Sequence, residues 1–282
     1  MKSYLSLVPI SAKVRKRQNR MTILCVIISI FLVTAIFSVA DMMIRTQSDR
    51  MTGKNGSWHI ELDGISQETA LKIAERDDVV SIGAVTIFNP DGELPYRMDG
   101  KRVVLYGIDE SYLTMNSTGA AEGRFPQGMG EIMLSSNAAR VLQVAVGDTV
   151  TLRTPSGDWD FTVSGLGGVE ESYYSGQYSL MDAYLPRTAF AALMEQNNVH
   201  NLQTSYYVQF TSASKAAKAI PELTAQHNLP ENAVSENTGV MAIAGHSDSS
   251  AAKNVYSLAA VLFVLVLLAG VLMISGSMNS NL

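Results

Sequence analysis

The chain has 282 residues, a formal net charge of −5 at pH 7 and a single cysteine, Cys25. Six of its lysines and arginines lie in the first twenty residues, which contain no acidic residue. The rest of the chain holds all 26 acidic residues and only 15 basic ones, which argues against a nucleic-acid partner because such a partner requires a basic surface. With no second cysteine the chain has no internal disulfide, so its hydrophobic core must stabilise it.

Two uncharged apolar stretches, residues 21–40 and 255–274, flank about 210 residues of ordinary globular composition. Each stretch has about 20 residues, which as an α-helix matches a hydrocarbon core of about 30 Å. We therefore predict transmembrane helices over residues 21–44 and 255–278. A cleaved signal peptide is the alternative for the first stretch. Because the apolar region of a signal peptide has only about 7–15 residues, an uncleaved anchor is favoured.

The basic residues before the first helix predict its orientation. We expect residues 1–20 in the cytoplasm, because lysine and arginine near a transmembrane end favour the inner side. Residues 45–254 are then extracytoplasmic, and residues 279–282 are again cytoplasmic. No lysine or arginine follows the second helix, so we expect the protein to continue beyond Leu282. The residues that set this topology are Lys13, Arg15, Lys16, Arg17 and Arg20.

The extracytoplasmic segment begins with a β-α-β pattern. Residues 41–49 contain no glycine or proline and are expected to extend the first helix as a stalk, which ends near Gly53. Residues 58–62 alternate as a strand, and Ser66 is the predicted N-cap of the helix that follows. A β-branched run over residues 79–88 completes the unit.

The remaining extracytoplasmic residues divide into a β-rich middle and an α/β end. In the middle we predict strands at 102–106, 131–134, 149–153, 159–164 and 183–185, and helices at 136–141 and 186–194. At the end we predict a strand at 206–210, a helix at 215–227 and a strand at 233–235. The order is therefore an α/β unit, a β-rich insert and a second α/β unit.

The β-rich middle carries turn and strand motifs in a characteristic order. It contains EGRFP at residues 122–126, GEIML at 130–134, VGDTVTL at 146–152 and FTVSGL at 161–166. Glycine and proline mark turns, and alternating apolar residues mark strands, so these positions serve the fold and carry no chemical step. The positions singled out are Gly123, Arg124, Pro126, Glu131, Gly147, Asp148 and Gly165.

In their order and spacing between two spans, these motifs resemble the periplasmic core domain of the macrolide-exporter and lipoprotein-release permeases, which are FtsX-like ABC permeases. The resemblance covers essentially the whole chain. It implies an α+β membrane protein with an extracytoplasmic porter-like α/β module from residues 54–92 and 203–238. A β-rich subdomain over residues 95–200 would be inserted in that module. It also implies four spans in the complete permease half.

The resemblance further implies that the chain is the N-terminal half of an ABC transporter permease subunit. ATP hydrolysis by a separate subunit would drive a conformational change outside the membrane, for export or release of amphiphilic substrates such as peptides or lipoproteins. The implied partners are that ATP-binding subunit, a second permease copy or paralogue, and the lipid bilayer. The same topology also fits a membrane receptor with an extracytoplasmic sensor domain between two helices, which is the main alternative; an anchored cell-wall hydrolase is disfavoured because the chain lacks a nucleophile motif.

No motif predicts catalysis. The chain has no G-x-x-x-x-G-K-[ST] sequence, so it lacks a P-loop for ATP. Two S-x-x-K strings, at Ser212 and Ser250, occur without the K-T-G element of penicillin-binding enzymes. The four histidines have no histidine or cysteine at metal-binding helical spacing. We therefore expect a protein that is not an enzyme and that binds neither a cofactor nor a metal ion.

Overall fold

A computed structural model of the chain describes residues 16–89, 96–116, 120–167, 181–230, 232–243 and 251–279. These residues form two compact units, one within Met1–Asp49 and Asp248–Leu282 and the other within Arg50–Ser247. The first unit is helical. The second contains a mixed β-sheet with helices packed on it.

The described residues contain both long helices and short strands. The helices are α1 (Lys16–Asn55), α2 (Gln67–Ala74), α3 (Glu110–Met115), α4 (Ser136–Leu142), α5 (Arg187–Gln196), α6 (Ala213–His227), α7 (Thr238–Ile243) and α8 (Ala251–Asn279). The strands are β1 (Ile60–Leu62), β2 (Val79–Phe88), β3 (Arg97–Met98), β4 (Lys101–Ile108), β5 (Ala120–Gly123), β6 (Glu131–Ser135), β7 (Thr149–Thr154), β8 (Gly157–Gly167), β9 (Met181–Pro186), β10 (Thr204–Phe210) and β11 (Val234–Glu236). Sequence patterns do not predict α3, α7, β3 and β5, which are too short to show a period.

The long helices α1 and α8 are each long and apolar enough to cross a membrane, with candidate spans Thr22–Asn55 and Asn254–Leu272. Helix α1 begins at Lys16, inside the segment expected to be a cytoplasmic tail, because nothing in residues 16–20 breaks a helix. It continues through the expected stalk and ends at Asn55, just beyond Gly53.

Small and aromatic side chains join α1 to α8. The ring centroids of Phe37 and Phe263 are 5.9 Å apart. A Cβ on Gly270 would lie 3.0 Å from the hydroxyl of Ser29, so the two backbones approach closely at that point. Small residues allow such approach between helices in a membrane. Many other apolar side chains of this unit are exposed, as expected where lipid or further helices are the surroundings.

In the second unit, strands β11, β1, β10 and β2 pair antiparallel in that order. The alternate residues Ile60, Leu62, Val208 and Phe210 are buried beneath α2 and α6 in one core. Helix α2 begins as predicted, because the Ser66 hydroxyl accepts a hydrogen bond from the backbone of Thr69 at 3.1 Å. The predicted β-α-β unit is thus part of a four-stranded antiparallel sheet.

Six other strands close into a ring. Strand β4 pairs with β2, and from β4 the pairing continues through β3, β7, β8, β6 and β9. The parallel pairing of β9 with β4, from Val103↔Met181 to Ile108↔Pro186, closes the circuit. Buried alternate residues of the ring strands form a second core, to which α5 contributes Phe190 and Leu193. Strand β5 pairs with β8 outside this ring.

Helix α3 packs against the face of β2 opposite to α2 and α6. Its N-cap is Asp109, whose carboxylate accepts hydrogen bonds from the backbone N–H groups of Tyr112 at 3.0 Å and Ala84 at 2.9 Å. Burial raises the pKa of Asp109, and these two bonds partly oppose that effect. Gly83 of β2 lies directly under the helix, where a Cβ would come within 2.5 Å of Tyr112 N.

Candidate functional site

The motif residues Arg124 and Glu131 meet in an ion pair at the start of β6. The Arg124 guanidinium donates to both carboxylate oxygens of Glu131, at 2.8 and 2.5 Å. The backbone N–H groups of Gln127 and Gly128 also donate to Glu131, at 2.9 and 3.3 Å. The guanidinium, followed by these amides, lowers the pKa of Glu131 from 4.5 to about 2. The carboxylate is therefore ionised at neutral pH, and both of its oxygens accept hydrogen bonds.

The other motif residues surround this pair where β5 meets β8. Gly123 has a φ of 72°, and Gly165 lies so close to the Arg124 carbonyl that a Cβ there would collide with it. Gly147, with a φ of 98°, donates to the carbonyl of Val163 at 2.8 Å. The remaining two motif residues are Pro126, which is buried, and Asp148, which accepts from the backbone of Ala145 at 2.8 Å. These are contacts that position strands and turns.

We expect Glu131→Gln to lower the melting temperature by about 4 °C at pH 7, because it removes a charge-assisted pair. The folded-state pKa of about 2 lies below the ordinary 4.5, so the stabilisation is present above about pH 4.5. It is lost as the pH falls towards 2. Melting curves of wild type and variant should therefore converge in acid. Glu122→Gln, at an exposed glutamate of β5, is the control and should change melting little at any pH.

A second arrangement, which sequence patterns do not predict, lies where the chain follows α1. Asn237, only 4% exposed, stands between β11 and α7. Its side-chain amide donates to the carbonyls of Trp58 at 2.9 Å and Asn55 at 3.3 Å. Its backbone N–H donates to the carbonyl of His59 at 2.9 Å. Its side-chain oxygen accepts from Val240 N–H at 3.4 Å, in the first turn of α7.

Two further contacts complete this arrangement. A Cβ on Gly239 would collide with the side-chain amide of Asn55. The backbone N–H of Ser57 donates to the carbonyl of Met115, the last residue of α3, at 2.5 Å. We call Asn55, Ser57, Trp58, Asn237 and Gly239 the basal clamp. These contacts tie Asn55, at the end of α1, and the residues that follow it to both α3 and α7.

His59 supports the clamp as a neutral side chain. It is 8% exposed, and burial lowers its pKa. Its Nδ1 accepts a hydrogen bond from the backbone N–H of Phe210 at 3.1 Å, so β1 is held to the end of β10. Among the residues that the structure describes, no group of three or more His, Cys, Asp or Glu side chains is placed to hold a metal ion.

Comparison with known proteins gives a match to one family. A family model described as the MacB-like periplasmic core domain matches residues 21–226, which is most of the chain. The chain belongs to this family. The match confirms the resemblance drawn from the motifs at 122–166. Together with the two span-capable helices, it confirms a membrane protein with an extracytoplasmic α/β domain, of the kind found in ABC transporter permeases.

The solved structures that are similar to this MacB-like chain include the following two. The periplasmic region of MacB from Actinobacillus actinomycetemcomitans is 14% identical with a TM-score of 0.48, over 67% of this chain and 93% of that one. The extracellular domain of the noncanonic ABC-type transporter YknZ from Gram-positive bacteria is 15% identical with a TM-score of 0.44, over 64% of this chain and 98% of that one. Comparison with curated protein sequences gives no match.

The remaining sequence-predicted residues of this MacB-like chain have separate locations. Of the topology-setting residues, Lys13 and Arg15 lie outside the described residues, whereas Lys16, Arg17 and Arg20 lie at the start of α1. Ser212 of one S-x-x-K string is the N-cap of α6, and its hydroxyl accepts from Lys215 N–H at 3.3 Å. That string is a helix cap, and the other begins at a residue outside those described.

Proposed function

We propose that this MacB-like core domain is part of a permease subunit that changes conformation outside the membrane when a separate subunit hydrolyses ATP. The transported or released substrate is an amphiphile, and the chain itself performs no chemical step. The subunit acts with the ATP-binding subunit on the cytoplasmic side and with a second permease copy or paralogue.

The basal clamp carries this proposal. A mechanical domain needs a fixed connection at the point where a moving segment enters it. The side chain of Asn237 supplies one, since its amide holds the residues after α1 while its oxygen caps α7. All the clamp residues, including Asn55 at the end of α1, belong to the second unit.

Co-purification tests the proposal. The full-length protein, tagged and extracted from its native host, should retain an ATP-binding subunit, and the complex should hydrolyse ATP in lipid nanodiscs. Recovery of the protein without such a subunit, or attached to a signalling kinase, contradicts the transporter function and favours the sensor alternative. The Glu122→Gln variant should retain the ATP-binding subunit as well as wild type does.

The proposed orientation predicts a labelling pattern. In a Cys25→Ser background, Asp158→Cys introduces a thiol at an exposed position of β8, and Asn19→Cys introduces one at the start of α1 without removing a basic residue. A membrane-impermeant maleimide should label the first variant in intact spheroplasts and the second only after permeabilisation. Equal labelling of both variants before permeabilisation would contradict a cytoplasmic N-terminus.

A further inference from the structure

Helix α5 borders a groove with apolar walls in the second unit. The cavity has a volume of about 440 Å³. Phe190 and Met194, each 4% exposed, line it from α5, and the partly buried Val199 and Leu202 line it from the segment before β10. Small-molecule sites commonly have volumes of about 300–1,000 Å³ and walls of this composition.

The partly buried cation Arg187 lies at one end of this groove. It is the first residue of α5, and its guanidinium is 6.0 Å from the ring centroid of Tyr206. Among the described residues, no carboxylate oxygen lies within 4.0 Å of the Arg187 guanidinium, so none forms an ion pair with it. The guanidinium interacts electrostatically with the carboxylate of Asp109, but it donates a hydrogen bond to none of the described residues. The guanidinium donors therefore remain available to a ligand.

The other residues that line the groove make its two ends differ in charge. The hydroxyls of Thr86 and Thr204 are 2.8 Å apart and pair with each other, so that wall presents no charge. Glu195 lies about 12 Å from Arg187 along α5, at the solvent-exposed opposite end. No side chain caps the N-terminus of α5. The positive end of the helix dipole lies at this terminus and adds to the charge of Arg187. Arg187 is the one arginine or lysine among the lining residues, which also include the exposed His200, so an anionic group is favoured at the Arg187 end.

We propose that this groove binds a single-chain amphiphile with a carboxylate head group. The carboxylate pairs with Arg187, because a guanidinium presents two parallel N–H donors that match its two oxygens. The aliphatic chain lies along Phe190 and Met194 and displaces water from them. The inference concerns binding alone, so it holds whether or not the protein transports the ligand.

Photo-crosslinking tests the site. The full chain in lipid nanodiscs is irradiated with a diazirine-bearing C12 fatty acid, and the modified peptides are mapped by mass spectrometry. Modification is expected on α5 and on residues 199–204, and Arg187→Met should reduce it by about tenfold. Ala191→Trp, at an exposed position of α5 that lines the groove, should block it. Arg153→Met, at an arginine with a side chain that is 72% exposed, is the matched control and should not change it.

Competition separates the head group from the chain. Excess dodecanoate should remove the α5 modification, and dodecylamine, which has the same chain with a cationic head, should not. Modification confined to α1 and α8, or unchanged in both Arg187→Met and Ala191→Trp, overturns the proposal. Equal competition by the amine also overturns it, because the site would then select only the chain. Failure of this experiment leaves co-purification with an ATP-binding subunit unaffected, so the two proposals are judged separately.

Discussion

Replacing Gly83 by alanine is expected to lower the melting temperature of the extracytoplasmic domain by about 8 °C. A Cβ at this position would lie 2.5 Å from Tyr112 N and 2.6 Å from Tyr112 Cα. These are backbone atoms of α3, so the helix itself must move away from β2. Overpacking of this kind costs about 1–3 kcal/mol, and in a domain of this size each kcal/mol corresponds to about 2–4 °C.

The displacement of α3 should extend to neighbouring contacts. It would strain the bond between Asp109 and Ala84 and the bond between Ser57 and Met115, which belongs to the basal clamp. Circular dichroism melting of the full chain measures the effect. Gly130→Ala is the control, since a Cβ there meets no atom within 4 Å, and it should melt like wild type. A Gly83→Ala variant with unchanged melting would show that α3 does not rest on β2 in this way.

Local sequence patterns predict individual elements better than the pairing between them. Strand β2 has the bounds predicted from its β-branched run, and Ser66 caps α2 as expected. Both features depend on residues within one or two turns of each other. The closed ring depends instead on the pairing of Val103 with Met181, and no local period contains that information. The β-rich character of the middle segment is therefore predictable, whereas its closure is not.

The contacts of the two candidate sites are likewise not predictable from local sequence patterns. Sequence patterns place Glu131 and Gly165 in strand and turn positions, but their proximity follows from β8 pairing with both β5 and β6. Asn237 looks like an ordinary cap, because asparagine is common before a helix. Nothing near it in sequence indicates that its amide reaches Trp58 and Asn55. The only local sign is Gly239 two residues later, which permits the close approach of Asn55.

Replacing Asn237 by alanine is expected to loosen the chain after α1 while leaving the ring of strands intact. The substitution removes the donor for the carbonyls of Trp58 and Asn55 and the acceptor for Val240 N–H. Asn237 is 4% exposed, so the remaining groups lose partners in a site that excludes water. Leaving a buried polar group unpaired costs about 1–3 kcal/mol. Hydrogen exchange at residues 56–59 and at Val240 should therefore accelerate by about tenfold or more.

Asn197→Ala provides a matched control for this experiment. The Asn197 side chain also joins a helix end to a distant segment, by donating to the Leu193 carbonyl at 2.8 Å and accepting from Ser156 N–H at 3.0 Å. Its loss should accelerate exchange near Ser156 and leave residues 56–59 unchanged. If hydrogen exchange at residues 56–59 is unchanged in Asn237→Ala, the clamp is not the basis of coupling between the end of α1 and α7. In the complex with an ATP-binding subunit, Asn237→Ala should preserve co-purification but reduce the nucleotide-dependent change in exchange at α7, because the residues after α1 would no longer be tied to that helix.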